Sequence, residues 1–183
     1  LALTWLMMAF EQPFLISFIA RLGAAKINLA AFGIAGSFAM IIEAPIIMLM
    51  SASTALVTGH HSYKKLKRFT DILNFGVTGI QLIMLIPPVF NFIVIRLMGV
   101  PEEVARIAHT ALLIFLPWAA SIGYRRFYQG ILIRNNLTRR VTYGTMVRIS
   151  VIVVAGLILY NTGIKGAYVG AGAMSIAVLA EAI

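Results

Sequence analysis

Two acids stand deep inside apolar sequence. Glu11 lies in "LALTWLMMAFEQPFLISFIA" and Glu43 in "INLAAFGIAGSFAMIIEAPIIMLMSASTALVT". An ionised side chain at the centre of a bilayer costs about 2.5–3.5 kcal/mol on insertion scales, so such residues face a wet cavity or a partner. Each acid also sits two residues before a proline, Pro13 and Pro45. Proline frees a carbonyl one turn earlier and bends the helix, which makes room for water or an ion. A carboxylate in that setting suits a coupling site for a proton or another cation. Its structural alternative is a hydrogen-bonded acid that ties two helices together.

Hydroxyls and cations extend the pattern. At 100° per residue from Glu43, Ile47, Ser51, Thr54 and Thr58 fall within a wedge of about 80°. That stripe is either a cavity lining or helix–helix glue. In "IAHTALLIFLPWAASIGYRRFYQGILIRNNLTRR", projection from Thr110 places Pro117, Ser121, Tyr124, Arg125 and Tyr128 within about 100° of one another. Arg125 therefore continues a polar face. A guanidinium is a flat fork of donors suited to carboxylate or phosphate, so Arg125 fits either an anionic substrate or an ion pair with a glutamate. Arg126 points elsewhere and is placed to snorkel toward headgroups. The candidate substrate cavity is thus Ser51, Thr54, Ser121, Arg125, Tyr128 and Gln129, beside Glu11 and Glu43 as candidate cation or proton coupling residues.

The elements that hold these residues follow from composition. The chain has 183 residues, 61% hydrophobic and 11% charged, with a mean hydropathy of +0.94. Soluble domains carry roughly 25% charged residues, and a 20.0 kDa globule has too little interior for this much apolar surface. The solvent is a lipid bilayer. The absence of cysteine excludes disulfides and thiolate chemistry. The net charge of +9 reads as the cytoplasmic excess of Lys and Arg on a membrane chain, with no nucleic-acid partner.

Six apolar runs approach the roughly 20 residues of a spanning helix: 1–20, 27–58, 72–95, 107–124, about 141–160, and about 166 to the end. They are continuous rather than alternating, which favours helices over barrel strands. The expected fold is all-α, a polytopic bundle of six transmembrane helices over residues 1–183, with apolar sequence at both ends as in a fragment of a longer chain. The second and fourth connectors carry Lys64, Lys65, Lys67, Arg68, Arg134, Arg139 and Arg140; the odd ones carry Arg21, Lys26, Arg96, Arg106 and Lys165. The even connectors and the N-terminus are therefore expected in the cytoplasm.

Other motifs are bland. His60 and His61 lack a third metal ligand nearby; His109 reads as an interfacial or packed residue; Gly166 and Gly170 form a small-xxx-small packing pair. Metal and other cofactor sites are not expected, apart from Na+ or H+ as a coupling ion. Nothing in the chain matches a soluble-enzyme motif, and its six acids and three histidines are scattered.

Taken in order, the acid in the first span, "IIEAPIIMLMSASTALV" in the second, "YRRFYQGILIRNNLTRR" after the fourth and "GIKGAYVGAGAMS" in the last resemble one six-helix half of the multidrug and toxic compound extrusion (MATE) transporters. These belong to the multidrug/oligosaccharidyl-lipid/polysaccharide flippase superfamily. The nearest branch is that of the progressive ankylosis protein, on the strength of Arg125 five residues before Gly130 and of Gly163 to Ala167. The resemblance implies a twelve-helix transporter of two six-helix halves, this chain being the N-terminal one, in a bacterial inner membrane. It implies alternating access, a small organic or anionic substrate, antiport coupled to a cation or proton, multidrug efflux, and Glu11 in the cation site. Two rivals stand beside it: a flippase for lipid-linked or phospholipid cargo, and a membrane-embedded enzyme or scaffold.

Overall fold

The computed structural model describes residues 2–182. The outer ends of the first and sixth predicted spans, Leu1 and Ile183, lie outside the described residues. Within them the chain is helical and contains no strand. Continuous apolar sequence explains this, because a helix satisfies its own backbone groups wherever water is absent. The helices are α1 (Ala2–Ala20), α2 (Ala25–Leu56), α3 (His60–Met84), the short α4 (Pro87–Asn91) running into a π-helical segment (Phe92–Leu97), α5 (Glu102–Ile114), α6 (Leu116–Arg134), α7 (Thr138–Asn161) and α8 (Gly166–Ala182).

Two predicted spans are broken. The third, expected over 72–95, starts earlier at His60 and stops at Met84, and the chain then turns by 73°. Pro87 and Pro88 cause the stop: they cannot donate to the preceding turn, and Ile86 is driven to ψ 120°. The basic connector "HHSYKKLKR" is consequently the first turns of α3, not a loop. The fourth predicted span, 107–124, is two helices that meet at Phe115 at 41°. Pro117 opens α6, which then runs through the basic stretch to Arg134. Arg125 and Arg126 therefore stand mid-helix rather than at a span's end.

Both breaks expose carbonyls that side chains recover. At the first, Val89 N–H bonds to Ile86 O, and the Leu85 carbonyl accepts from His109 Nε2 at 2.7 Å. His109 also meets Phe90 edge-on at 4.9 Å between centroids. At the second, Ser175 Oγ donates to Ile114 O at 2.7 Å and Gln81 Nε2 to Leu112 O at 3.2 Å. Each unsatisfied carbonyl in such a setting would cost about 1–3 kcal/mol. His109 is thus a packed structural donor.

By length and composition, α2 and α7 can each cross a membrane. Counting each bent pair as one span raises the number to four, and Ala9–Ala20 and Gly166–Ala182 are shorter apolar stretches. Helix length alone accordingly supports two to four crossings. Exposed side chains such as Phe75 (79%), Met48 (74%) and Ile72 (62%) give the bundle an apolar outside.

α8 runs through the middle, against α1, α2, α5, α6 and α7. Its small side chains permit that position. A Cβ on Gly170 would come within 2.8 Å of both Ile19 Cδ1 and the Phe32 ring. α6 is inserted between α2 and α3 in the same way: a Cβ on Gly130 would fall 1.8 Å from Ser53 Oγ and 2.4 Å from the Met50 carbonyl oxygen. Close approach through small residues is how helices associate where lipid removes the hydrophobic drive.

Candidate functional site

α6 crosses the core with Trp118, Ile122, Arg125 and Gln129 buried, one turn apart. That face brings Arg125 against α8, where its Nη1 donates to Glu181 Oε2. Gln129 Nε2 donates to the other oxygen, Glu181 Oε1, at 3.1 Å. From α7, Arg148 Nη1 approaches Glu181 Oε2 at 3.5 Å, while its Nη2 bonds to Glu11 Oε2 on α1. Arg126 turns to α2 and faces Glu43 at 4.0 Å, an ion pair beyond hydrogen-bond reach.

Three arginines and three glutamates thus form a neutral cluster that joins five helices. Three of the chain's six acidic residues are spent on it, so it dominates the sparse charge of the interior. The cluster is most deeply buried at its centre: the side chains of Arg125 and Glu181 are each 2% exposed, against 12% and 9% for Arg126 and Glu43. Breaking any fully buried pair by removing one partner leaves an uncompensated charge, worth about 3–5 kcal/mol.

A cavity of about 550 Å³ opens on this cluster. Its polar wall includes Glu11, Gln12, Glu43, Arg125, Arg126 and Arg148; its apolar wall includes Phe32, Phe115 and Trp118. A smaller cavity of about 350 Å³ lies on the other side, bounded by Tyr128, Gln129, Arg140 and Glu181. Arg125 lines both, so the Arg125–Glu181 pair stands between them. Among the described residues no group of acids and histidines is arranged to hold a metal ion.

Both predicted coupling acids, Glu11 and Glu43, are on the larger cavity, and Arg125, Tyr128 and Gln129 are on one cavity or both. The predicted serine and threonine hydroxyls are elsewhere. Ser51 is exposed on α2. Thr54 Oγ1 lies 2.8 Å from the Met50 carbonyl oxygen and 3.1 Å from that of Gly130, so it ties α2 to α6. Ser121 Oγ donates to Pro117 O in its own helix. None of the three lines the larger cavity. Within α6 the buried face runs through Trp118, Ile122, Arg125 and Gln129, and Ser121 stands beside that face rather than on it.

Arg126 corrects another expectation. It does not snorkel to a headgroup; it lines the cavity opposite Glu43. Arg148 and Glu181 were not among the predicted site residues. Their signal was present in the sequence, since the apolar runs hold three acids, Glu11, Glu43 and Glu181, against one arginine, Arg148.

No curated protein and no solved structure matches the chain. The MatE family matches over residues 1–178, which takes in α1 to α7, most of α8 and the whole cluster except Glu181. Members of this family are membrane transporters rather than enzymes. An all-helical chain with apolar helices, an apolar exterior and a neutral charged cluster on an internal cavity is consistent with that match, and the chain belongs to the MatE family.

Proposed function

We propose that the chain is a six-span half-bundle of a secondary active exporter that works by alternating access. In this reading a second six-helix half, in the same polypeptide or in a partner protomer, completes a twelve-helix transporter in a bacterial inner membrane. The N-terminus and the even connectors are cytoplasmic, where the basic residues of α3 and of the α6–α7 turn concentrate. Transport is antiport of a small organic substrate against Na+ or H+, the class of activity that serves multidrug efflux.

One observation carries the reading. Glu11 is buried on the cavity wall, its Oε2 bonded to Arg148 on another helix and its Oε1 without a partner. A carboxylate held by one cation from a neighbouring helix can exchange that hold for a proton or Na+. The exchange loosens α1 from α7, so ion occupancy biases the relative placement of the helices. A ligand shifts such an equilibrium only by its differential affinity for the two states, a few kcal/mol here.

The test is Glu11→Gln in proteoliposomes that contain the complete transporter, with gradient-driven movement of a panel of fluorescent organic probes as readout. Movement should fall at least about tenfold, with a single symmetric peak retained on gel filtration. A folded variant that still transports at the wild-type rate ends the coupling role. The three arginines beside an apolar wall favour a second reading, flipping of a lipid-linked or phospholipid cargo. Lipid scrambling by the reconstituted protein, in the absence of probe movement, would select it.

A further inference from the structure

Two acids share one arginine. From α7, Arg148 Nη2 bonds to Glu11 Oε2 on α1, and its Nη1 stands 3.5 Å from Glu181 Oε2 on α8. A guanidinium presents several donors in one fixed plane, so it can face two carboxylates at once. The two acids are held very unequally. Glu181 is fixed from α6 by Arg125 on Oε2 and by Gln129 on Oε1. Its stem also lies along α7: a Cβ on Gly144, one turn before Arg148, would stand 3.5 Å from Glu181 Cγ. Glu11 has Arg148 as its one ion-pair partner among the described residues, and its Oε1 makes no hydrogen bond. Arg125 and Arg126 on α6 and Glu43 on α2 also act on Arg148 through their charge.

A cation at Glu11 raises the question of where Arg148 goes. Arg148 is buried, and a buried guanidinium left without a carboxylate is strongly unfavourable. Glu181 is already 3.5 Å away and is anchored by two side chains of another helix. We infer that Glu181 is a positioning residue for coupling: it receives Arg148 when Glu11 is occupied, so that α7 parts from α1 and stays with α8. The inference rests on reading Glu11 as the coupling acid. The hand-over makes cation binding easier, because Arg148 passes from one carboxylate to another and is never left alone. Weakening the second carboxylate's hold therefore tightens Arg148 on Glu11. The cation must then compete harder for Glu11, which takes more Na+ or a lower pH.

Glu181→Asp separates this role from folding. It keeps a negative charge beside Arg125, and an acid shorter by one methylene first loses its longest contact, the one to Arg148. In proteoliposomes that contain the complete transporter, movement of the fluorescent probes is followed against Na+ concentration and against pH. For whichever ion drives the unmodified protein, half-maximal Na+ should rise about fivefold or more, or half-maximal pH should fall by about 0.7 unit or more. The maximal rate should change less. An unchanged half-maximal point overturns the inference, and so does a fall in maximal rate alone. Thermal unfolding in detergent gives a second readout that needs no transport. Arg125→Gln with Glu181→Gln removes a matched pair and leaves Arg148 with Glu11 alone. In that background Glu11→Gln should lower the midpoint by about 6 °C or more, against about 3 °C or less in the otherwise unmodified protein. Equal losses overturn the inference; if the background does not fold, the transport readout decides. Failure of these readouts leaves the coupling role of Glu11 standing where Glu11→Gln stops transport. Transport that survives Glu11→Gln ends the coupling role, and the midpoints then decide by themselves whether Glu181 receives Arg148.

Discussion

Arg148 holds two acids from two other helices, Glu11 on α1 and Glu181 on α8. Arg148→Gln should therefore destabilise the bundle by about 3–5 kcal/mol, because it leaves Glu11 buried without its cation. Thermal unfolding in detergent measures this as a lowered midpoint. The double variant Arg148→Met with Glu11→Leu should recover most of the loss, since Glu181 keeps Arg125 and Gln129 and no lone charge is left behind. Equal destabilisation by the single and double variants would show that packing, not charge, is what Arg148 supplies. The individual acids were legible from sequence, because an acid in an apolar run is conspicuous by its cost. Their partners were not. Glu11 and Arg148 are separated by 137 positions, and no periodicity within one helix says which helix stands beside it.

At the scale of elements, α6 shows what a small residue does. Gly130→Ala places a methyl group 2.4 Å from the Met50 backbone oxygen, which cannot rotate away as a side chain can. The expected cost is about 1–3 kcal/mol, from forced separation of α2 and α6. Gly76→Ala on α3 meets nothing within 4 Å and should be neutral or stabilising by up to about 1 kcal/mol, through the higher helix propensity of alanine. The two midpoints compared side by side test whether glycine in this chain acts by approach or by flexibility. The helix breaks were partly legible: Pro87 and Pro88 interrupt the third apolar run, whereas Pro117 stands in a fourth run that looks like one span. The decisive feature is that His109, Gln81 and Ser175 receive the freed carbonyls. Those contacts are long-range and come from other helices. His109→Ala should lower the unfolding midpoint by the equivalent of about 1–3 kcal/mol, since the Leu85 carbonyl would lose its donor; an unchanged midpoint would remove that role.

At the scale of the whole molecule, the proposed orientation places Lys65 and Lys165 on opposite sides of the membrane. Residues 1–183 contain no cysteine, so Lys65→Cys and Lys165→Cys each introduce one reactive thiol into this half, read against the unsubstituted protein as the background. A membrane-impermeant maleimide added to intact cells should label position 165 and reach position 65 only after lysis. The opposite pattern inverts the topology, and labelling of both from outside reduces the number of crossings between them by one.

Composition and the continuity of the apolar runs determined that this chain is helical and lives in lipid, because too little charge and too few polar alternations leave no other solvent or secondary structure for it. The same sequence placed two acids and an arginine in the interior. Only the tertiary structure decided that α6 carries both arginines mid-helix, that Arg126 turns inward to Glu43, and that Glu181 joins Arg125, Arg148 and Gln129. Burying a charge in lipid is governed by local sequence, which says that a partner must exist. Which partner it is depends on helices brought together from distant parts of the chain, where glycine and alanine allow the backbones of α6 and α8 to come close.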